Sequence, residues 1–291
     1  MTPNAEQPMR TSSRRTLSAA ILGGATAAGL SLAFAMPAAA SDALSDSTLS
    51  HVQQGQVLKV CTTGDYAPFS HREDNGDFEG IDIDMAASLA KSLGATVQTV
   101  PTSWPTLMED FTSGKCDIAM SGISVKLDRQ AQAYFSQPYQ TGGKTPIVRC
   151  EDVDKYQTVA QINQPSVRIT VNPGGTNERF ANEFLSDATR VANEFLSDAT
   201  RVAHNDNRTI FNNIIEDRAD VMVTDAIETQ LQASRHPELC SVHPDSPFTF
   251  SQKGYLLPLG DNIWKAYVDQ WLTQMQGTGE QAAIFDKWIN G

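Results

Sequence analysis

From Val57 onward the chain alternates short apolar runs with stretches of helical spacing, and this alternation leaves few folds open. VLKVCTTG (57–64) predicts a strand, and IDIDMAASLAKSLGA (81–95) a helix that stops at Gly94. TVQTVP (96–101) predicts a second strand, WPTLMEDFTSGK (104–115) a helix and CDIAMSG (116–122) a third strand. After KTPIVRC (144–150) the series restarts with SVRITVNPGGT (166–176), a helix from Asn177, TRVAHND (200–206), TIFNNIIEDR (209–218), ADVMVTD (219–225) and AIETQLQASR (226–235). The tail from Lys253 adds one more strand and helices. Strands alternating with helices give mainly parallel sheets covered on both faces. A length of 291 residues allows one or two domains, each with its own core.

The prediction is therefore an α/β chain of two lobes. Residues 51–143 with 246–291 form the first and 148–240 the second, and GGKTPIV and SVHPDSPF cross between them. A ligand in such a fold sits in the interlobe cleft, outside the carboxyl ends of strands. The loops that reach it are TTGDYAPF, SWP, SGISVKLDR, NPGGTNE and TDAIE.

Residues 1–40 stand apart from both lobes. Arg14-Arg15 precede an apolar stretch rich in Ala and Gly, and the run Ala38-Ala39-Ala40 then offers a cleavage site. This reads as an export signal of the twin-arginine kind, with an ordinary secretory signal as the alternative. Its removal leaves no stable membrane association and places the chain in the periplasm. The formal charge moves from −12 (22 basic, 34 acidic) to −14 (19 basic, 33 acidic). No basic run survives, so nucleic acid is excluded as a partner, while a homo-oligomer stays open. Four cysteines in an exported chain favour disulfides, and none has metal-ligand spacing. Cys150 and Cys240 each flank an apolar segment, which suits a bridge. Cys61 and Cys116 are either neighbours in a sheet or buried thiols.

ANEFLSDATRV occurs twice without a mismatch, at 181–191 and 192–202. Solenoid repeats diverge and need several copies, so this is a tandem duplication rather than a repeat fold. Eleven residues make about three helical turns, so the extra copy either lengthens a helix by roughly 16 Å or loops out.

Several residues in the cleft loops could carry chemistry. Arg129 can hold a carboxylate through two parallel hydrogen bonds, with Ser121 and Ser124 as neutral donors. The plain alternative is a surface arginine paired with Asp128. In NPGGTNE the glycines let the backbone approach an anion at a helix start, although Thr176 is equally an ordinary N-cap. Trp104 offers an apolar wall for a ring, or fills core. Asp225 and Glu228 stand three apart where a strand gives way to a helix, a capping-box pattern with Asp in the first place. On spacing alone Glu228 is a cap. No GxGxxG, Walker or convincing triad pattern is present.

A resemblance changes these weights. GDYAPFS, SGIS, FSQPY, GGT and RADVMVTD look like the amino-acid-binding, type II periplasmic binding proteins, from about Val57 to the C-terminus. Within that superfamily, TTGDYAPFS, VPTSWPTLMEDF, VNPGGTNERF, DVMVTDAIE and ELCSVHPD resemble the periplasmic cyclohexadienyl dehydratases. Those enzymes make phenylpyruvate from prephenate and phenylalanine from arogenate, with no cofactor. The resemblance implies that Glu228 is the general acid and that Asn177 and Asn172 are polar active-site residues. It further implies Trp104 as the wall for the substrate ring and Arg129 as the carboxylate anchor. Ser121, Ser124, Thr176, Asp65, Tyr66, Lys144 and Asp225 become lining residues. Lys126 departs from the family, which has a short polar residue there, and so does the duplication. A neutral carboxyl is needed to protonate a leaving hydroxide, and burial or the nearby Asp225 would raise its pKa accordingly. The reading from a different class is a non-catalytic amino-acid-binding protein of a transporter, in which Arg129 and Asp225 clamp carboxylate and amine.

Overall fold

The computed structural model describes residues 44–191 and 207–290. Two five-stranded sheets organise them. The first runs Thr96–Pro101, Val57–Thr62, Ile118–Ala119, Leu256–Leu257, Tyr134–Phe135. Its first three strands are parallel, and Leu256–Leu257 returns antiparallel to both neighbours. The second runs Thr189–Val191, Arg168–Thr170, Val221–Asp225, Lys144–Arg149, Leu239–Ser241, again with three adjacent parallel strands and a fourth, Lys144–Arg149, antiparallel to both of its neighbours.

Burial on both faces explains the near-continuous apolar runs. All five residues of Val221–Asp225 are buried. Val221 and Val223 join the cluster of Ile169, Phe180 and Leu185 on one face of the second sheet. Met222 joins Ile147, Ile210, Phe211 and Ile214 on the other, as the two-residue period of a strand requires. In the first lobe, the helix Ile81–Ser92 buries Ile81, Met85 and Leu89 one turn apart. It ends just before Gly94, whose φ of +66° favours glycine. The C-terminal helices close this core with Trp264, Val268, Trp271 and Leu272. No helix of the described residues is long and apolar enough to cross a membrane.

Two chain crossings join the lobes as an antiparallel ladder, Gln140–Gly142 against Ser251–Lys253. Gly143 follows at once, where a Cβ would lie 1.6 Å from the Thr249 carbonyl oxygen, so only glycine fits the crossing point. Cys150 and Cys240 are bridged, with Cα atoms 4.8 Å apart beside the Cys240–Val148 ladder pair. Cys61 and Cys116 form a second disulfide across 5.7 Å, tying the strand Val57–Thr62 to the segment entering Ile118–Ala119.

The first copy of the duplication does not extend a helix. The helix Thr176–Phe184 ends within it, Leu185 caps back to the Ala181 carbonyl, and Thr189–Val191 pairs with Arg168–Thr170 as an edge strand. The identical TRV of the first copy is thus a strand, while TRVAHND at 200–206, expected as one, lies outside the described residues. Residues 192–202, the second copy, lie outside the described residues.

Candidate active site

The site forms where the two sheets point their strand ends at each other. A cavity of about 20 Å³ lies between the lobes, lined by Tyr66, Trp104, Ser124 and Arg129 of the first, Asn172, Thr176, Asn177 and Asp225 of the second, and Lys253 of a crossing strand. That volume is about one water, so a larger ligand enters only when the lobes part. Gly174 makes the close approach possible, while Gly175 has room for a side chain. At Gly174 (φ +78°) a Cβ would lie 2.7 Å from the Pro105 nitrogen, and at Gly175 it would lie 4.0 Å from Trp104. Gly175, not Thr176, is the N-cap of the helix that follows. Trp104 is fixed by a 3.0 Å hydrogen bond from its indole N–H to Asp65 and by an edge-on contact with Tyr66. Asp65 therefore orients the wall and does not line the cavity itself.

Arg129 is buried, which its position in an exposed-looking LDRQ stretch conceals. One N–H reaches the Ser124 carbonyl at 3.2 Å, and among the described residues no carboxylate pairs with it. Asp128, the expected surface partner, binds Arg179 instead. Burial foremost, with Arg179 nearby, pushes the Arg129 guanidinium down to about 10, still charged at neutral pH. A buried, acid-free guanidinium is a place for an anion.

Asp225 is the hub of the second lobe. It stands at the N-cap position of the helix Ala226–Arg235, yet its side chain makes no cap bond. Its carboxylate accepts from Tyr66 OH and, at 2.6 Å, from Lys253 Nζ, and its other oxygen lies 3.1 Å from Lys144 Nζ. Burial alone would raise its pKa, but Lys144 and Lys253 hold it well below the usual carboxylate range. Lys144 also donates to Asn177 Oδ1. The Asn177 amide N–H group in turn serves Asn172 Oδ1 and Thr224 Oγ1, each at 2.9 Å. Asn177 thus ties the glycine turn to the strand carrying Asp225.

Glu228 is not a cap. It is 1% exposed, and its two oxygens meet Thr224 Oγ1 at 2.5 Å and Asn207 Nδ2 at 3.0 Å. Burial is the largest influence and raises its pKa. The Thr224 hydrogen bond and the two lysines lower it, Asp225 raises it, and it stands at about 8. The carboxyl therefore holds a proton at neutral pH. The expectation that the TDAIE loop brings Glu228 onto the cleft is corrected. It does not line the small cavity, and its link to the lining residues runs through Thr224 to Asn177.

Two further expectations change. Ser121 faces the interior of the first lobe, where its hydroxyl meets the Thr63 backbone N–H and hydroxyl and the Ser70 hydroxyl. Lys126 lines a neighbouring interlobe cavity with Arg179 and Glu183, which shares Ser124 and Thr176 with the small cavity, and is not itself among the residues lining the latter. Sequence reasoning missed Lys253, Thr224 and Asn207. Lys253 sits in a crossing strand that reads only as an entry to the tail, and Asn207 in a polar loop. Thr224 alone had a signal, being a polar residue at the cleft end of an otherwise apolar run, VMV. Among the described residues, no group of three or more His, Cys, Asp or Glu is placed to hold a metal ion.

A two-lobed α/β body with a polar interlobe cavity defines a solute-binding architecture. The chain belongs to the bacterial extracellular solute-binding proteins, family 3, whose profile matches residues 58–291. Within that family it is 50% identical, over 88% of its length and 91% of the relative's, to the cyclohexadienyl dehydratase of Pseudomonas aeruginosa. The L-cystine-binding protein of Escherichia coli is more distant, at 22% identity over 83% and 85%. An ancestral amino-acid-binding protein, described as a precursor of cyclohexadienyl dehydratase, superposes with a TM-score of 0.74 at 33% identity, over 84% of this chain and all of that one. An ancestral cyclohexadienyl dehydratase matches at 47% identity with a TM-score of 0.52, over 84% and 97%.

Proposed function

We propose that the chain, exported to the periplasm with residues 1–40 removed, is a cyclohexadienyl dehydratase that converts prephenate to phenylpyruvate and arogenate to phenylalanine. The observation that carries this reading is Glu228, a buried carboxyl whose pKa burial raises and which is linked through Thr224 and Asn177 to the charged interlobe site. A transporter's binding protein has no use for such an acid.

In the proposed reaction the bond between the ring and its carboxylate breaks, and its electron pair enters the ring as CO2 leaves. The ring C–O bond breaks at the opposite carbon, and the departing oxygen takes the proton of Glu228 to leave as water. Arg129 holds a substrate carboxylate, and Trp104, fixed by Asp65, bears on the ring, so that binding fixes the orientation in which both bonds break together. Thr224 and Asn207 hold the Glu228 carboxyl in place. Lobe closure excludes the water that would otherwise ionise the acid. Its proton returns from solvent when the lobes part.

The test is to incubate the processed protein with prephenate and follow phenylpyruvate by its absorbance. Steady turnover supports the proposal. Tight binding of an amino acid with no turnover of prephenate would return the chain to the transporter class.

A further inference from the structure

Among the described residues, Asp225 is the only acid lining the cavity, and it shares that lining with Arg129. In a site for an amino acid such a pair would take the α-ammonium and the carboxylate. Asp225 is already occupied. Lys253 Nζ lies 2.6 Å from its Oδ2, held as well by Ser124 Oγ at 3.0 Å and Tyr66 OH at 3.3 Å, with the Tyr66 ring 5.1 Å away. Lys144 Nζ lies 3.1 Å from Oδ1 without forming an aligned hydrogen bond. Both lysines are buried. That oxygen can still take a neutral donor, but a cation there would face two fixed ammonium groups with little water to screen them. A keto oxygen has the opposite need, because it accepts what a lysine donates.

We propose that Lys253 sets substrate preference at this end of the cavity. By occupying Asp225 it takes the place of a substrate ammonium and presents one of its own, so the site favours a 2-oxo acid over the matching 2-amino acid. In terms of the function proposed above, on which this inference rests, prephenate is preferred to arogenate. Charge agrees: Arg129, Lys144 and Lys253 against Asp225 leave a positive site while Glu228 is protonated, which complements the prephenate dianion better than arogenate with its added ammonium.

The experiment is kcat/KM for prephenate and arogenate with the wild type, Lys253→Met and Lys253→Arg. The wild type should prefer prephenate by about tenfold or more, the scale of one discriminating charge contact. Lys253→Met should move the ratio toward arogenate by a similar factor, and Lys253→Arg should leave it nearly unchanged. A wild type that prefers arogenate, or a ratio unmoved in Lys253→Met, overturns the inference. Calorimetry of the wild type with phenylpyruvate and L-phenylalanine, which differ only at the carbon in question, decides the matter if the variant does not fold. Tighter phenylpyruvate supports the inference, and tighter L-phenylalanine overturns it. That measurement also separates the two proposals: a protein that turns over neither substrate refutes the enzyme, while the binding order still judges Lys253.

Discussion

Asn207 donates a 3.0 Å hydrogen bond to Glu228 Oε1 from 21 positions away in sequence, and both side chains are buried. The contact fixes one carboxyl oxygen, leaving Thr224 to meet the other. Removing it should loosen the acid without touching the residues that hold the substrate. Asn207→Ala is expected to lower kcat on prephenate roughly tenfold, the worth of about one hydrogen bond to the reacting group, with KM little changed. Steady-state kinetics checks the split.

Stability should carry the mark of the same carboxyl. Glu228 titrates at about 8 in the folded protein against an ordinary value of 4.5. Between those values the folded chain keeps a proton that the unfolded chain has released. Its contribution to stability is therefore whole below about pH 4.5 and lost as pH rises through about 8. Urea midpoints of wild type and Glu228→Gln, measured from pH 5 to 9, should diverge in favour of the variant as pH rises, since glutamine has no proton to lose.

Arg129 has no acid partner among the described residues, and under the proposed function its donors not used on Ser124 would take a substrate carboxylate. Arg129→Lys keeps the charge but loses the planar fork. KM for prephenate should rise by about tenfold or more, while melting temperature changes little, because no internal ion pair is broken. Kinetics and calorimetric melting together test this.

Deleting residues 192–202 restores a single copy of ANEFLSDATRV. The first copy already completes the helix Thr176–Phe184 and supplies the edge strand Thr189–Val191. Fold and kcat/KM should therefore survive the deletion. Stability should rise by less than about 1 kcal/mol, the scale on which closure entropy changes when eleven residues are taken out between two fixed chain ends. Circular dichroism and thermal melting are sufficient to check both.

The sheets were legible because period and composition act locally. VMVTD is apolar on both faces of its strand, and IDIDMAASLAKSLGA carries its own stop at Gly94. The rule that ligands meet strand ends pointed to the loops of Asn172, Asn177 and Asp225, and these residues, with Trp104, line the interlobe cavity. What stayed hidden depends on tertiary approach. TDAIE has the spacing of a capping box, but Asp225 spends its side chain on Lys253, Lys144 and Tyr66, which come from other segments. No local pattern could signal that competition. Lys253 was invisible for the same reason, since a lysine in a short strand reads as solvated until another lobe buries it. Ser121 erred the other way: a small hydroxyl after a strand suits a ligand, and here it suits Thr63 and Ser70.

The central claim is that Glu228 delivers a proton. Replacing it with glutamine keeps the size and the hydrogen bonds to Asn207 and Thr224 within reach but removes the acid. The most direct measurement is kcat of Glu228→Gln on prephenate beside the prephenate dissociation constant of the same variant. The account predicts a fall in kcat on the order of 10²–10⁴, the usual worth of general acid catalysis, with binding largely retained. Full turnover in the Glu228→Gln protein would contradict it.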